Sequence, residues 1–139
     1  MAGSGPGEAR TTVLDLSTQP ATSLRAPTSP DFNRDGTADL LWRHTSGVVA
    51  IWLMNGPTAV SVGSAGTVST DWTIAGVGDF NGDGKTDILW RHTSGAVVVW
   101  LMDGTAVASV VTVGSVPTAW SIVGVADFNG DGRADILWR

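Results

Sequence analysis

Short apolar runs separated by polar, glycine-bearing breaks set the rhythm of this chain. Asp87 to Thr93 (DILWRHT), Ala96 to Met102 (AVVVWLM) and Val107 to Val113 each have the length and β-branched character of a strand. Ser94-Gly95 and Asp103-Gly104 between them are turn signals, and Ala119 to Val125 (AWSIVGV) predicts a fourth strand. Valine runs and paired glycines are poor helix material, and no 3.6-residue stripe appears, so the predicted class is all-β. The runs AIWLM and VVVWLM are apolar without alternation, as expected of strands covered on both faces.

The same pattern returns every 48 residues. Asp31 to Gly78 begins DFNRDGTADLLWRHTSGVVAIWLMNG, Asp79 to Ala126 begins DFNGDGKTDILWRHTSGAVVVWLMDG, and residues 127–139 restart with DFNGDGRADILWR. Three sequence units follow: 31–78, 79–126 and a truncated third at 127–139, holding an acidic loop and one strand. Trp42, Trp90 and Trp138 keep this spacing, as do Trp52 with Trp100 and Trp72 with Trp120, so each occupies a fixed packing position. Four antiparallel strands in 48 residues is one β-propeller blade; an open stack of sheets is the alternative arrangement. Propellers typically close with about four to eight blades, so one chain holds an incomplete propeller. Residues 1–30, with prolines at 20, 27 and 30, are expected to form a linker or a degenerate outer strand.

Composition narrows the chemistry. Net charge is −5, yet nine of the thirteen acidic residues fall in the three repeated loops, so the acidity belongs to sites and not to the general surface. Nucleic acid, which calls for clustered lysine and arginine, is not an expected partner. There is no cysteine, so an extracellular protein of this kind needs a staple other than disulfides. No apolar run approaches the roughly 18 residues of a membrane span, and no secretory signal opens the sequence; an export signal is expected to have been removed or to lie in a longer parent.

Each unit opens with DxNxDGxxD: Asp31, Asn33, Asp35 and Asp39; Asp79, Asn81, Asp83 and Asp87; Asp127, Asn129, Asp131 and Asp135. Calcium takes six to eight oxygens, and side chains at positions 1, 3 and 5 of a sharply turning loop converge on one point. The position-7 residues Thr37, Lys85 and Arg133 would offer backbone carbonyls, which leaves their side chains free to differ, as they do. Mutual repulsion among the carboxylates would make the cation necessary for ordering the loop. Helical calcium loops need a bidentate glutamate at position 12, where this chain has Trp42, Trp90 and Trp138. Magnesium, with its rigid octahedral shell, suits the loops less well. Turn formation alone is the competing reading of such clusters, but three copies keep every oxygen position while the intervening residues drift.

DFNGDGKTDILWR, with the preceding WTIAGVG or WSIVGVA, resembles the FG-GAP and VCBS family of calcium-loop repeats found in the propeller heads of integrin α subunits and in bacterial extracellular proteins. The resemblance covers about residues 31–139. It implies a blade whose calcium sits in a hairpin-like rim loop, entered from strand WTIAGVG and left by strand TDILWR. Arg34 replaces the glycine of the other two loops; calcium binding is expected to survive there, weakened by the nearby positive charge.

The function expected is a calcium-stabilised extracellular or cell-surface scaffold for binding or adhesion, without catalysis, presenting loops to a protein or glycan ligand. A carbohydrate-binding, lectin-like propeller is the first alternative, since Arg43-His44 and Arg91-His92 beside tryptophans suit equivalent pockets between blades. An accessory domain of a secreted hydrolase is the second. His44 and His92 stand two residues before Ser46 and Ser94 in a turn with no third group to complete a triad, which reads as hairpin chemistry. Too few blades for closure implies either a homo-oligomer that completes the propeller or a fragment of a longer chain.

Overall fold

The computed structural model describes residues 30–139. The reading of residues 1–30 as linker or outer strand lies outside these residues, save Pro30. Among the described residues, nine strands form three antiparallel sheets and there is no helix. β1 (Leu40–Arg43), β2 (Val48–Asn55) and β3 (Thr58–Thr67) make the first; β4 (Trp72–Gly78), β5 (Asp87–His92), β6 (Ala96–Asp103) and β7 (Ala106–Ser115) the second; β8 (Ile122–Ala126) and β9 (Asp135–Trp138) the third. These are open antiparallel propeller blades that do not close among the described residues.

Sheet and sequence unit are out of phase by one strand. Ala119 to Val125, expected as the fourth strand of the 79–126 unit, begins as a turn in which Trp120 donates its N–H to the Pro117 carbonyl (3.0 Å). It becomes β8 only at Ile122 and pairs with β9, across the third acidic loop. Likewise β4 pairs with β5 across the second loop and not with β3. A hairpin closing over a short loop needs little chain entropy, so each acidic loop joins two neighbouring strands of one sheet.

Neighbouring sheets bury their faces against each other, and the repeat fixes which residue faces which way. Phe32, Val49 and Ile51 from the first sheet and its loop cluster with Ile88, Trp90 and Met102 of the second. From the opposite face of the second sheet, Leu89, Val97 and Val99 pack with Ile122, Val125, Ile136 and Trp138 of the third. Ile88 and Trp90 thus lie on a back face towards the preceding sheet, and Leu89 on a front face towards the next. Covered on both sides, β5 is buried at Asp87, Ile88, Leu89 and Trp90 alike, whereas its repeat mate β1 leaves Leu40 and Trp42 exposed.

The sheets approach closely where side chains are absent. A Cβ on Gly76 of β4 would stand 2.7 Å from the Val125 methyl of β8. Gly76 also follows a bulge at Ala75, since Ile74 pairs with Trp90 and Gly76 with Leu89. The same bulge recurs in β8 between Ile122 and Gly124.

Candidate functional site: three acidic rim loops

Residues 31–39, 79–87 and 127–135 form three loops of one design. Their first aspartate caps the turn: Asp79 Oδ1 accepts the N–H groups of Gly82 (2.8 Å) and Asp83 (3.2 Å), and its Oδ2 that of Gly84 (2.7 Å). Asp127 accepts equivalently from Gly130, Asp131 and Gly132 at 2.8, 3.1 and 2.8 Å. Asp31 accepts from Asp35 and Gly36 at 3.1 and 2.9 Å. The second aspartate receives the position-7 N–H: Thr37 to Asp35, Lys85 to Asp83 and Arg133 to Asp131, at 2.9, 2.8 and 2.9 Å. Local capping by Asp side chains is why this sequence turns so tightly.

The last aspartate begins the strand that leaves the second and third loops, at Asp87 and Asp135, and stands just before it in the first, at Asp39. Asp87, fully buried, accepts the Phe80 N–H on Oδ2 (2.9 Å) and the Met102 N–H on Oδ1 (2.9 Å), tying the loop to β6. Asp39 does the same with Phe32 (2.8 Å) and Met54 (2.9 Å). Burial pushes the Asp87 carboxyl up to about 6 against the pull of these two donors, and the nearby Asp83 and Asp79 push the same way. Asp39 is raised by burial too. On the open side of the loops the direction reverses: the Thr37 hydroxyl lowers Asp35, and the Gly132 N–H lowers Asp127.

Carboxylate oxygens of Asp79, Asp83 and Asp87 all lie within 4.8 Å of one another, and so do those of Asp127, Asp131 and Asp135. Three acidic oxygens at that separation suit one divalent cation and repel without it. The Asp31, Asp35 and Asp39 oxygens are not gathered in this way. Asp35 Oδ1 there lies 2.7 Å from the hydroxyl of Thr37, where the other loops have Lys85 and Arg133. Asn81 and Asn129 each accept a backbone N–H from the aspartate two residues on, at 3.3 Å. Asn33 instead keeps a buried Oδ1 with no partner among the described residues.

The loops also touch one another, which the sequence reading did not foresee. The Thr86 N–H donates to the Asp31 carbonyl (3.0 Å), and the Ala134 N–H donates to the Asp79 carbonyl (2.8 Å). Both bonds join residues 55 apart, one repeat plus seven, so the only signal was the repeat itself. Arg34 holds φ 60°, a left-handed conformation that Gly82 (79°) and Gly130 (75°) reach without a Cβ penalty. Its guanidinium does not stay at its own loop: Nη1 donates to the Asp83 carbonyl of the second loop (3.2 Å). Its positive charge therefore sits on the second loop, where the sequence reading had it weakening the first. Arg133 lies against Gly82 from the other side, and Lys85 Nζ pairs with Asp103 (3.0 Å).

Away from the rim, the paired Arg-His positions are engaged in structure. Arg91 donates to the carbonyls of Gly95, Val116, Pro117 and Trp120, and Arg43 to those of Val68 and Ser69. His44 Nδ1 accepts the Ser46 N–H (2.9 Å) and lies 2.7 Å from Ser46 Oγ, and His92 repeats this with Ser94 at 3.0 and 2.7 Å. These are hairpin contacts. Among the described residues, no helix is long and apolar enough to cross a membrane.

A family model described as an FG-GAP-like repeat matches residues 31–90 and again 79–138. Each match runs from one acidic loop through the next, which is the loop-to-loop unit that the sheets share. No curated protein and no solved structure matches the chain significantly. With nearly all the described residues covered by two overlapping matches, the chain belongs to the FG-GAP-like repeat family.

Proposed function

We propose that the chain is a calcium-stabilised, non-catalytic scaffold for extracellular binding or adhesion. The observation that carries the reading is the convergence of three aspartates within 4.8 Å in each of two loops. Asp79, Asn81, Asp83 and Asp87 would hold one ion with the Lys85 carbonyl, and Asp127, Asn129, Asp131 and Asp135 a second with the Arg133 carbonyl. The first loop, with Asp31, Asn33, Asp35, Thr37 and Asp39, would need its Asp35 carboxylate to leave the Thr37 hydroxyl. Bound calcium supplies positive charge that relieves the repulsion of three carboxylates, one of them buried. Its role is structural, since it fastens the loop that joins two strands of a sheet.

Thermal unfolding followed by tryptophan fluorescence, in chelator and then in millimolar calcium, tests this reading. The expected result is a large upward shift of the midpoint with calcium that equal magnesium does not reproduce, lost in the double variant Asp83→Ala, Asp131→Ala. An unmoved curve would leave the aspartates as turn residues and end the proposal.

A glycan ligand is a second reading, favoured by two clefts related by the repeat. One of about 610 Å³ is lined by Arg91, His92, Thr93, Thr118, Trp120 and Ser121 among others. Its mate, of about 400 Å³, has Arg43, His44, Thr45, Thr70, Trp72 and Thr73 at the corresponding positions. The arginines are taken up by carbonyls and Trp90 is buried, so ring stacking would fall to the half-exposed Trp120. Binding on a glycan array that disappears in Trp120→Ala is the expected result, and a blank array would refute it.

A further inference from the structure

The two interior faces between sheets repeat one contact. The Arg43 guanidinium lies 4.9 Å from the centroid of Trp90, and the Arg91 guanidinium lies 5.0 Å from that of Trp138. Trp90, under Arg43, tilts against Trp100 at 5.0 Å, and its repeat mate Trp42 tilts against Trp52 in the same way at 5.3 Å. Trp42, however, has no arginine over it among the described residues. It is 49% exposed where Trp90 is 1%, and Leu40 is 40% exposed where its mate Ile88 is 0%. This back face of the first sheet carries a groove of about 490 Å³ lined by Trp42, Val48, Ala50 and Trp52 among others.

The opposite end of the molecule bears the other half of the contact. On the front face of the third sheet and its loop, Leu137 is 46% exposed where Leu89 is 0%, and Phe128 is 58% exposed where Phe32 is 0%. Arg139, one repeat beyond Arg91, is fixed beside β9 by two backbone bonds with Ser121, at 2.8 and 2.9 Å. The rim agrees: Asp31 and Asp79 give their carbonyls to the following loop, and Asp127 has no such partner among the described residues. Nor does the Ala38 N–H, the mate of the donors at Thr86 and Ala134.

We propose that a second copy of this chain covers the back face of the first sheet with the front face of its own third sheet, head to tail. Arg139 of one copy then stacks on Trp42 of the other, as Arg43 does on Trp90 and Arg91 on Trp138. Phe128 and Leu137 enter the surface that Phe32 and Leu89 occupy inside the chain, and Asp127 accepts from Ala38. The occupant is a second copy because the back face of the first sheet and the part of the front face formed by β8, β9 and the third loop repeat the corresponding parts of an interface that the chain already makes twice. Such a contact is heterologous, so it propagates until a ring closes or a filament grows. Nothing in it depends on the metal.

Sedimentation velocity on the full chain, in calcium and in chelator, provides the test. The expected mass is a multiple of 14.4 kDa that rises with concentration towards one closed species or a series. Leu40→Glu with Trp42→Glu blocks the back face, and Phe128→Glu with Leu137→Glu blocks the front. All four residues are exposed, so both variants should keep the circular dichroism of the parent. Each alone should sediment as a monomer, and an equal mixture should give a dimer that goes no further, which only a head-to-tail contact predicts. A parent chain that stays monomeric at high micromolar concentration in both conditions overturns the proposal. So does a blocked variant that assembles alone, or a mixture that makes no dimer.

Discussion

At the scale of single residues, the closing aspartate of each loop has the most to lose. Asp87 gives one oxygen to the Phe80 N–H and the other to the Met102 N–H, so an amide in its place must point its own N–H₂ at one of those donors. Asp87→Asn is therefore expected to destabilise the chelated protein by about 1–3 kcal/mol, the cost of leaving a buried donor unsatisfied. Asp135 accepts only from Phe128 (2.9 Å) among the described residues, so Asp135→Asn can turn its N–H₂ away and should cost less. Urea midpoints of the two variants decide it; equal losses would mean that the loss comes from the missing charge and not from the donors. The identity of both aspartates was legible from the DxNxDGxxD spacing. What the spacing did not convey is that Asp87 is buried in β5 and tied to the neighbouring strand β6.

At the scale of elements, the strands of the sheets were largely readable, and their grouping was not. β-branched runs and turn dipeptides located Asp87–His92, Ala96–Asp103 and Ala106–Ser115 because those signals are local. Which strand opens a sheet depends on pairing across the acidic loop, and a 48-residue period has no privileged starting point. Arg34 is a similar case, since its reach to Asp83 depends on how one sheet sits beside the next. That packing also separates two glycines that look identical in sequence. A Cβ at Gly76 meets Val125 at 2.7 Å, whereas at Gly124, its mate, the nearest atoms are those of Leu137 at 3.7 Å. Gly76→Val should lower stability by about 1–3 kcal/mol through overpacking, and Gly124→Val by clearly less. Thermal midpoints that fell equally would show that the loss is local to the strand and not between sheets.

At the scale of the whole molecule, stability is divided among three similar sheets and the faces between them. Trp90, Ile88 and Leu89 are buried because the second sheet has a neighbour on each side, and their mates Trp42, Leu40 and Leu137 are exposed where the described residues supply none. The repeat made this much visible in advance: identical units must bury identical faces, and two complete units leave two faces over. The rim adds a second kind of connection. Because the Asp31 carbonyl takes the Thr86 N–H and the Asp79 carbonyl takes that of Ala134, the loops form a row in which each is bonded only to its neighbours. A row of that sort behaves as a one-dimensional lattice. Order gained at the middle loop lowers the entropy still to be lost at both flanks, while order gained at a flank helps one neighbour alone, so the middle loop governs how sharply the whole rim sets.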